Sequence, residues 1–468
     1  MQHDKSGRAI VIGGSMAGLL AARVLANHFK SVTIIERDAH TASPEFRRGV
    51  PQGRHAHGLL LRGQQTLFRL FPEIREALLA AGACSVNMGR DMRWLHFGVW
   101  KRRFDSRLEG LLASRPLIEW TVAEHLRRLR NVRILNEWSF GGLKFDGDRV
   151  VGVRAHPRGE PATELHADLV IDATGRGSRT PTEIEACGFR RPQETNVKID
   201  VGYSTAIFRA PEASLDWKIL YVIAQPPAKR GALILPLEPD AGGNRWMATL
   251  VGMHGDHPPG HAAGFLEFAK SLPAPDVYDA LKRAEPLSDI VRYGYAASRR
   301  RHYEKLRRFP EGLLVLGDAL CSFNPIYGQG MSAASMYADV LDQCLREQGG
   351  RAGLWRSFFA KAAQVADMPW QLATGEDFRF SETIGPRSPV MRFMHWYTGK
   401  VLVACGRDEL IAERFYEVMH LLKPPGAVFS PDVIWRLIRR IRPQPVGSAR
   451  SERAFASPPG LRREGVRE

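Results

Sequence analysis

Three short apolar runs constrain this chain more than any other feature: Ala9–Ile12, Leu169–Ile171 and Leu313–Leu316. Each is continuous in Ala, Val, Ile or Leu, as strands buried on both faces are. Each runs directly into a turn of small or acidic residues. The first turn is Gly13-Gly14-Ser15-Met16-Ala17-Gly18, the second Asp172-Ala173-Thr174-Gly175-Arg176-Gly177-Ser178, and the third begins Gly317-Asp318. Open α/β sheets bind ligands beyond the carboxyl ends of their strands. Three such ends, far apart in sequence, are expected to converge in one sheet around one ligand.

The first run opens a βαβ unit. A helix is predicted over Leu19–Asn27 and a second strand over Ser31–Ile35, ending in Glu36-Arg37. Glycines at a strand-to-helix turn, followed about twenty residues later by an acid, are the dinucleotide fingerprint. Gly13 suits the tight turn, Gly18 suits close helix–strand packing, and Glu36 is placed to accept from ribose hydroxyls. Ser15 replaces the pattern's middle glycine, and its Cβ limits how closely a pyrophosphate approaches the backbone. In the third segment Pro325, Gly328 and Gly330 break the chain, and a helix is predicted over Met331–Leu341. Asp318, a carboxylate at a strand's end, suits a chain of hydroxyls. The glycine-rich helix start offers free N–H groups and the positive end of a helix dipole to an anion. Together the segments suit a polyhydroxylated, partly anionic cofactor.

A chain of 468 residues exceeds a single simple core, so two or three substructures are expected. The five cysteines (Cys84, Cys187, Cys321, Cys344, Cys405) lack C-x-x-C spacing. That argues against zinc, a redox disulfide or a disulfide scaffold, and suits a reducing cytosol. No apolar run reaches the ~18 residues of a spanning helix. The net charge of +16 is consistent with an anionic partner, but its clusters, such as Lys101-Arg102-Arg103 and Arg299-Arg300-Arg301, are not interleaved with aromatics. Nucleic acid is therefore not expected. His55 and His57 have no third ligand nearby, and His254, His257 and His261 lie in a Gly/Pro-rich stretch, so no metal is expected.

Helices are predicted around Gly63–Phe71 and over Arg115–Arg130, and a β-meander over 132–171. Strands at Val197–Phe208, Lys218–Ala224, Gly231–Pro236 and Arg245–Val251 suggest a separate, mostly antiparallel sheet. After about residue 350 the pattern is helical. The fold class expected is α/β: a Rossmann-like cofactor domain over 1–190, completed by 291–345, with a β-sheet substrate domain over 191–290. A helical region spans 346–442, and the Arg/Ser/Pro-rich tail 443–468 reads as disordered. Ser430-Pro431-Asp432 caps a helix over Val433–Arg442 whose apolar residues share a face. Docking against the domain is the preferred reading of that helix, and contact with a membrane surface through 431–442 is the alternative. The expected location is cytoplasmic, with membrane association under that alternative.

The three segments together resemble the flavoprotein monooxygenases with a single FAD-binding domain. Longer strings, Gly49-Val50-Pro51-Gln52-Gly53-Arg54-His55-Ala56-His57, Asp172–Arg179 and Phe323-Asn324-Pro325-Ile326-Tyr327-Gly328, are similar to the epoxidases of polyether biosynthesis. The similarity spans roughly residues 8–340. It implies FAD held by Gly13, Gly14, Ser15, Met16, Ala17, Gly18, Glu36 and Arg37. It also implicates Arg54 and His55 of the basic loop, Arg115, Asp172 and Gly175. Gly317 and Asp318 would hold the ribityl chain, and Pro325, Gly328, Gln329, Gly330 and Met331 the flavin ring. The activity implied is insertion of one oxygen of O2, through a flavin C4a-hydroperoxide, into a small hydrophobic substrate. Epoxidation of an alkene is favoured, in a secondary-metabolism setting, and no catalytic residue is singled out. The substrate pocket is expected against the 197–252 sheet, lined by Ile207, Tyr221, Leu235 and Met247. Thr174 stands where aromatic hydroxylases carry the aspartate of an Asp-Gly motif. A separate flavin reductase or electron-transfer partner therefore stands beside direct use of NAD(P)H. A flavin-dependent double-bond reductase of the geranylgeranyl reductase type and a non-catalytic flavin-binding protein are the competing readings. The absence of Trp-x-Trp argues against a flavin halogenase.

Overall fold

The computed structural model describes residues 5–211, 215–347 and 352–441. The three apolar runs lie side by side in a five-stranded parallel sheet. Its order is Leu313–Val315, Leu169–Asp172, Arg8–Ile12, Ser31–Ile35, Val132–Leu135. Ile12 is in register with both Asp172 and Ile35, and Asp172 with Val315, so all these strands end along one edge. Val11, Val170 and Val315 are fully buried, the condition their uninterrupted apolar sequences require. Helix Met16–His28 packs on one face of this sheet against helix Gly330–Glu347.

The expected meander over 132–171 divides in two. Its first and last strands join the parallel sheet, while Trp138–Asp146, Arg149–Pro157 and Thr163–His166 form a three-stranded antiparallel sheet. Val132–Leu135 follows helix Arg115–Arg127, so the chain re-enters the parallel sheet through a helical crossover, as parallel pairing demands.

The second large layer is an eight-stranded sheet. Gln193–Arg209, Gly243–Met253, Arg230–Asp240 and Ile219–Val222 are neighbours in it, as their patterns predict. Two additions correct the sequence reading. Val291–His302 pairs antiparallel with Gln193–Arg209, past the boundary expected at 290. Met92–His96 and Val99–Trp100 enter from the first segment, Met92–His96 pairing parallel with Ile219–Val222. Val291–His302 carries four arginines, which obscures its alternation.

Helices Leu354–Asp377, Met391–Ala404, Glu409–Met419 and Pro431–Ile441 form the helical region the pattern predicts after residue 350. They bury Tyr397, Val401, Ile411, Tyr416, Val433 and Leu437 against Trp94, Ile219, Ile223 and Leu235 of the sheet. The tail read as disordered, 443–468, lies outside the described residues. Among the described residues no helix is long and apolar enough to cross a membrane.

Candidate active site

Helix formation begins at Met16, so the first turn is only Gly13-Gly14-Ser15. Gly13 sits at φ +105°, where a Cβ would stand 2.6 Å from the Ala173 carbonyl oxygen. A Cβ on Gly18 would stand 1.8 Å from the Gly13 oxygen, so the helix rests directly on the turn. Met16 is buried, and Ala17 faces Gly317 across a gap that a Gly317 Cβ would close to 2.7 Å. The Gly14 N–H donates to Glu36 Oε2 at 2.7 Å, and the Asp38 N–H donates to Oε1 at 2.9 Å. Arg37 turns aside to the Gly49 carbonyl.

Ser15 is accounted for by its side chain. Its hydroxyl donates to Glu119 Oε1 at 2.6 Å and accepts from Arg115 Nη2 at 2.9 Å. Arg115 also donates to Glu119 at 2.9 Å and meets His57 Nε2 at 3.2 Å. Arg47 closes the group, pairing with Glu119 and, at 3.3 Å, with Glu36. Burial opposes ionisation of Glu119, but Arg115 and Arg47 hold its carboxyl down to about 2. Two guanidinium groups thus stand at the N-terminus of a helix that already favours anions. Arg47 and Glu119 were not singled out from the sequence. Glu119 was legible as the i+4 partner of Arg115; Arg47, in an irregular loop, carried no signal.

The second and third turns meet at Asp318. Asp172 accepts from Thr174 N, Thr174 Oγ1, Ser178 Oγ and Thr180 Oγ1. Its carboxylate is thereby engaged within its own segment, and it shapes the turn rather than presenting oxygens to a cofactor. Asp318 differs. It makes no hydrogen bond or ion pair among the described residues, and burial raises its carboxyl against the pull of Arg115 and Arg176. Cβ atoms added to Gly175 and Gly330 would come no nearer to Asp318 than 4.0 and 3.9 Å, so the space around it is open. Gly328, at φ +66°, ends the turn that Pro325 starts and Asn324 caps. Gly330 and Met331 then open the helix.

The basic loop reaches the sheet. His55 Nδ1 meets Thr205 Oγ1 at 2.7 Å, while its Nε2 is buried without a partner among the described residues. Burial, then Arg54, pushes the His55 imidazole down to about 4, and burial, then Arg115, pushes His57 down to about 3. Both rings are neutral at pH 7. Arg54 itself is exposed and stacks on Phe46.

Segment 325–329 borders two spaces. One, of about 30 Å³, is aromatic, lined by His55, Tyr203, Tyr221, Tyr293, Pro325 and Ile326 among others. The other is a cavity of about 560 Å³, with walls that include Trp94, Tyr327, Gln329, Trp370, Met394 and Phe415. Gln329 is 1% exposed, and neither its amide oxygen nor its nitrogen has a hydrogen-bond partner among the described residues. Both ring nitrogens of His96 and the Trp94 Nε1 are likewise buried without a hydrogen-bond partner among the described residues, although Glu376 Oε2 stands 4.0 Å from His96 Nε2. His96 and Trp94 line the same cavity. Tyr327 donates to Asp377 Oδ1 at 3.0 Å, and Asn324 Nδ2 donates to the same oxygen at 2.7 Å.

The four residues expected from the sequence to line one pocket do not share a single space. Tyr221 lines the small aromatic space, Leu235 and Met247 line a third space beside His57 and Arg115, and Ile207 lines none of these. The large cavity takes most of its wall from the C-terminal helices, which show their apolar faces only once packed.

The family described as FAD dependent oxidoreductase matches residues 9–180. Protein Rv3254 of Mycobacterium tuberculosis is 31% identical, over 95% of this chain and 98% of the relative. The chain belongs to the FAD-dependent oxidoreductase family. FAD is its cofactor, and the residues fit that group. The half-buried Asp318, without a partner among the described residues, offers acceptors suited to ribityl hydroxyls, and Arg47 and Arg115 lie at a helix start suited to phosphates. A further relative of this oxidoreductase is kynurenine 3-monooxygenase of Salinispora arenicola, 26% identical over 80% of each chain. The solved structure of the flavin-dependent brominase Bmp2 matches its fold with a TM-score of 0.64 at 15% identity, covering 92% of this chain and 99% of that one.

Proposed function

We propose that this oxidoreductase is a monooxygenase that transfers one oxygen atom of O2 to a largely apolar, unsaturated substrate held in the 560 Å³ cavity, forming an epoxide. The second oxygen leaves as water, and NAD(P)H supplies two electrons, either directly or through a separate reductase. The observation that carries this reading is the position of the cavity. Its wall includes Gln329, within the glycine-rich segment assigned to the flavin ring.

Bound FAD supplies the two-electron chemistry and the activation of O2. The chain supplies binding, orientation and exclusion of water. Gly13–Gly18 with Glu36 would hold the adenosine end, Arg47 and Arg115 the phosphates, Asp318 the ribityl chain, and the Gly328–Met331 helix start the flavin ring. The largely aromatic and aliphatic lining, including Trp370, Met394 and Phe415, keeps the cavity apolar and excludes water from the substrate. Gln329, His96 and Trp94 offer polar groups in its wall to fix the substrate's orientation.

Among the described residues the cavity presents no free ionised base. Burial lowers His96 well below its usual range and holds the Tyr327 hydroxyl well above its own, so both are neutral. Glu376 is bound by Arg379 at 2.8 Å. Oxygen transfer to a double bond needs no proton taken from the substrate, so this lining suits it.

The reading is tested by filling the cavity. Met394→Trp and Thr398→Trp place bulk in it, away from Asp318 and Glu36. Substrate-dependent O2 uptake with apolar alkenes is expected to fall about tenfold or more while FAD content stays at one per chain. Unchanged uptake in both variants would place the substrate elsewhere.

A further inference from the structure

The outer side of the cavity wall is unusual. Helix Met391–Ala404 lines the cavity with Met394, His395 and Thr398, and on its opposite face exposes Phe393, Trp396 and Val403 at 56, 58 and 41%. Helix Pro431–Ile441, packed beside it, exposes Ile434, Trp435 and Ile438 at 37, 52 and 56%. Of the large hydrophobic side chains exposed among the described residues, all but Leu215 fall between 384 and 438. Single exposed apolar residues are ordinary; a stripe shared by two adjacent helices marks a binding surface.

The charges on these helices indicate what it binds. Arg392 and Lys400 flank the stripe on the first helix and Arg439 on the second, and no carboxylate of the described residues lies within ion-pair distance of any of them. The Arg439 guanidinium lies 3.8 Å from the centroid of the Trp435 ring. Arg436, on the other side of its helix, is paired with Asp408 at 3.2 Å. Exposed Trp, Phe and Ile bordered by unpaired Arg and Lys are the composition of helices that lie in the headgroup region of anionic bilayers. A second copy of this chain is a poor occupant. An isologous contact would set the same cations against each other with no acidic counterpart. Val390 connects the face to the interior: it is 62% exposed and also lines the 560 Å³ cavity, with Pro386 and Ser388. The cavity mouth therefore opens beside the stripe.

We propose that the face formed by Phe393, Trp396, Val403, Ile434, Trp435 and Ile438 docks onto an anionic lipid surface. An apolar substrate then passes from the bilayer into the cavity past Val390. The second statement rests on the function proposed above; the docking does not. Bilayer-dissolved substrate would reach the cavity without crossing water, in which such a molecule is poorly soluble.

Co-sedimentation tests the docking without turnover. Full-length, FAD-loaded protein is mixed with extruded vesicles of phosphatidylcholine alone or with about one-third phosphatidylglycerol. Binding is expected on the anionic vesicles and is expected to weaken with salt. The combination Phe393→Ser, Trp396→Ser, Trp435→Ser and Ile438→Ser should lower it about tenfold or more. So should Arg392→Gln, Lys400→Gln and Arg439→Gln, at unchanged FAD content. The second set alters only exposed charges, so it carries the test if the first set fails to fold. Residues 442–468 remain in every protein, so any lipid affinity of theirs is common to all. Equal sedimentation of wild type and both variants, or none by wild type, overturns the docking. So does a concentration-dependent dimer lost in the apolar variant with no vesicle binding. If docking holds but vesicles do not lower the KM for a bilayer-dissolved alkene, the route past Val390 is overturned while the docking stands. If no alkene is oxidised in any format, the proposed function fails and the docking is judged on sedimentation alone.

Discussion

Asp377→Asn should make the folded protein less sensitive to pH. Asp377 is fully buried; its Oδ1 accepts from Asn324 and Tyr327, and its Oδ2 has no partner among the described residues. That is the arrangement of a neutral carboxyl, with a doubly accepting carbonyl oxygen and a hydroxyl. Burial pushes the group up to about 7, against the two hydrogen bonds that favour the charged form. A carboxyl raised above its unfolded value of 3.8 adds stability at low pH and loses it as pH rises through about 7. At about 1.4 kcal/mol per pH unit, the full span is on the order of 4 kcal/mol. Between pH 5 and pH 8 the loss is about 2.5 kcal/mol. Asparagine reproduces the neutral form, with its amide oxygen accepting both bonds, and cannot ionise. Urea unfolding of both FAD-loaded proteins at pH 5 and pH 8 measures the effect, because pH effects common to both cancel in the difference. The stability of the variant relative to wild type should rise by about 2.5 kcal/mol from pH 5 to pH 8. A difference that stays constant, or falls with pH, would show that Asp377 is ionised in the fold and refute the reasoning.

Other outcomes follow from the site. Asp318→Ala removes the carboxylate assigned to the ribityl hydroxyls. A hydrogen bond to a charged group is worth about 1.5–3 kcal/mol, so FAD should dissociate roughly 10- to 100-fold more readily, as flavin fluorescence titration would show. Gly18→Val places a side chain where even a Cβ would meet the Gly13 oxygen at 1.8 Å, so the thermal midpoint should fall sharply or soluble protein be lost. Ser15→Gly restores the glycine of the fingerprint but deletes the hydroxyl between Glu119 and Arg115. Stability should drop by about 1 kcal/mol without tighter FAD binding. Gln329→Leu should raise the substrate KM with little change in flavin content, measured by steady-state kinetics and absorbance.

What the sequence made legible was local. Ala9–Ile12 and Leu313–Leu316 are apolar throughout because the parallel sheet is buried on both faces, so their strands and turns could be read directly. Glu36 and Asp318 follow from spacing and from position at strand ends. Long-range pairing was less visible. Val291–His302 is dense in arginine because it crosses the molecule and meets Glu194 and Asp367 on other elements. Its strand character depends on Gln193–Arg209, about a hundred residues away. Arg47 lies in a loop without periodicity, and only the fold brings it to Glu36 and Glu119. The large cavity was missed for the same reason. Its wall is assembled from helices whose inner and outer faces are both partly apolar, Met394 inward and Phe393 outward, so no single-helix pattern separates core, cavity and exposed stripe. Asp172 shows the converse error. Its place at a strand end suggested cofactor contact, and only the four hydrogen bonds of its own segment reveal its structural role.

The central claim is oxygen transfer to a substrate in the cavity. The most direct measurement is turnover of the FAD-loaded protein under oxygen-18 gas with NADPH, supplemented by a general flavin reductase, and a panel of apolar alkenes. Mass spectrometry of the products then reports the source of the oxygen. The account predicts an epoxide carrying one oxygen-18 atom, with its yield lowered about tenfold or more in Met394→Trp. Products that draw their oxygen from water, saturation of the double bond, or NADPH oxidation with every alkene recovered unchanged would contradict it.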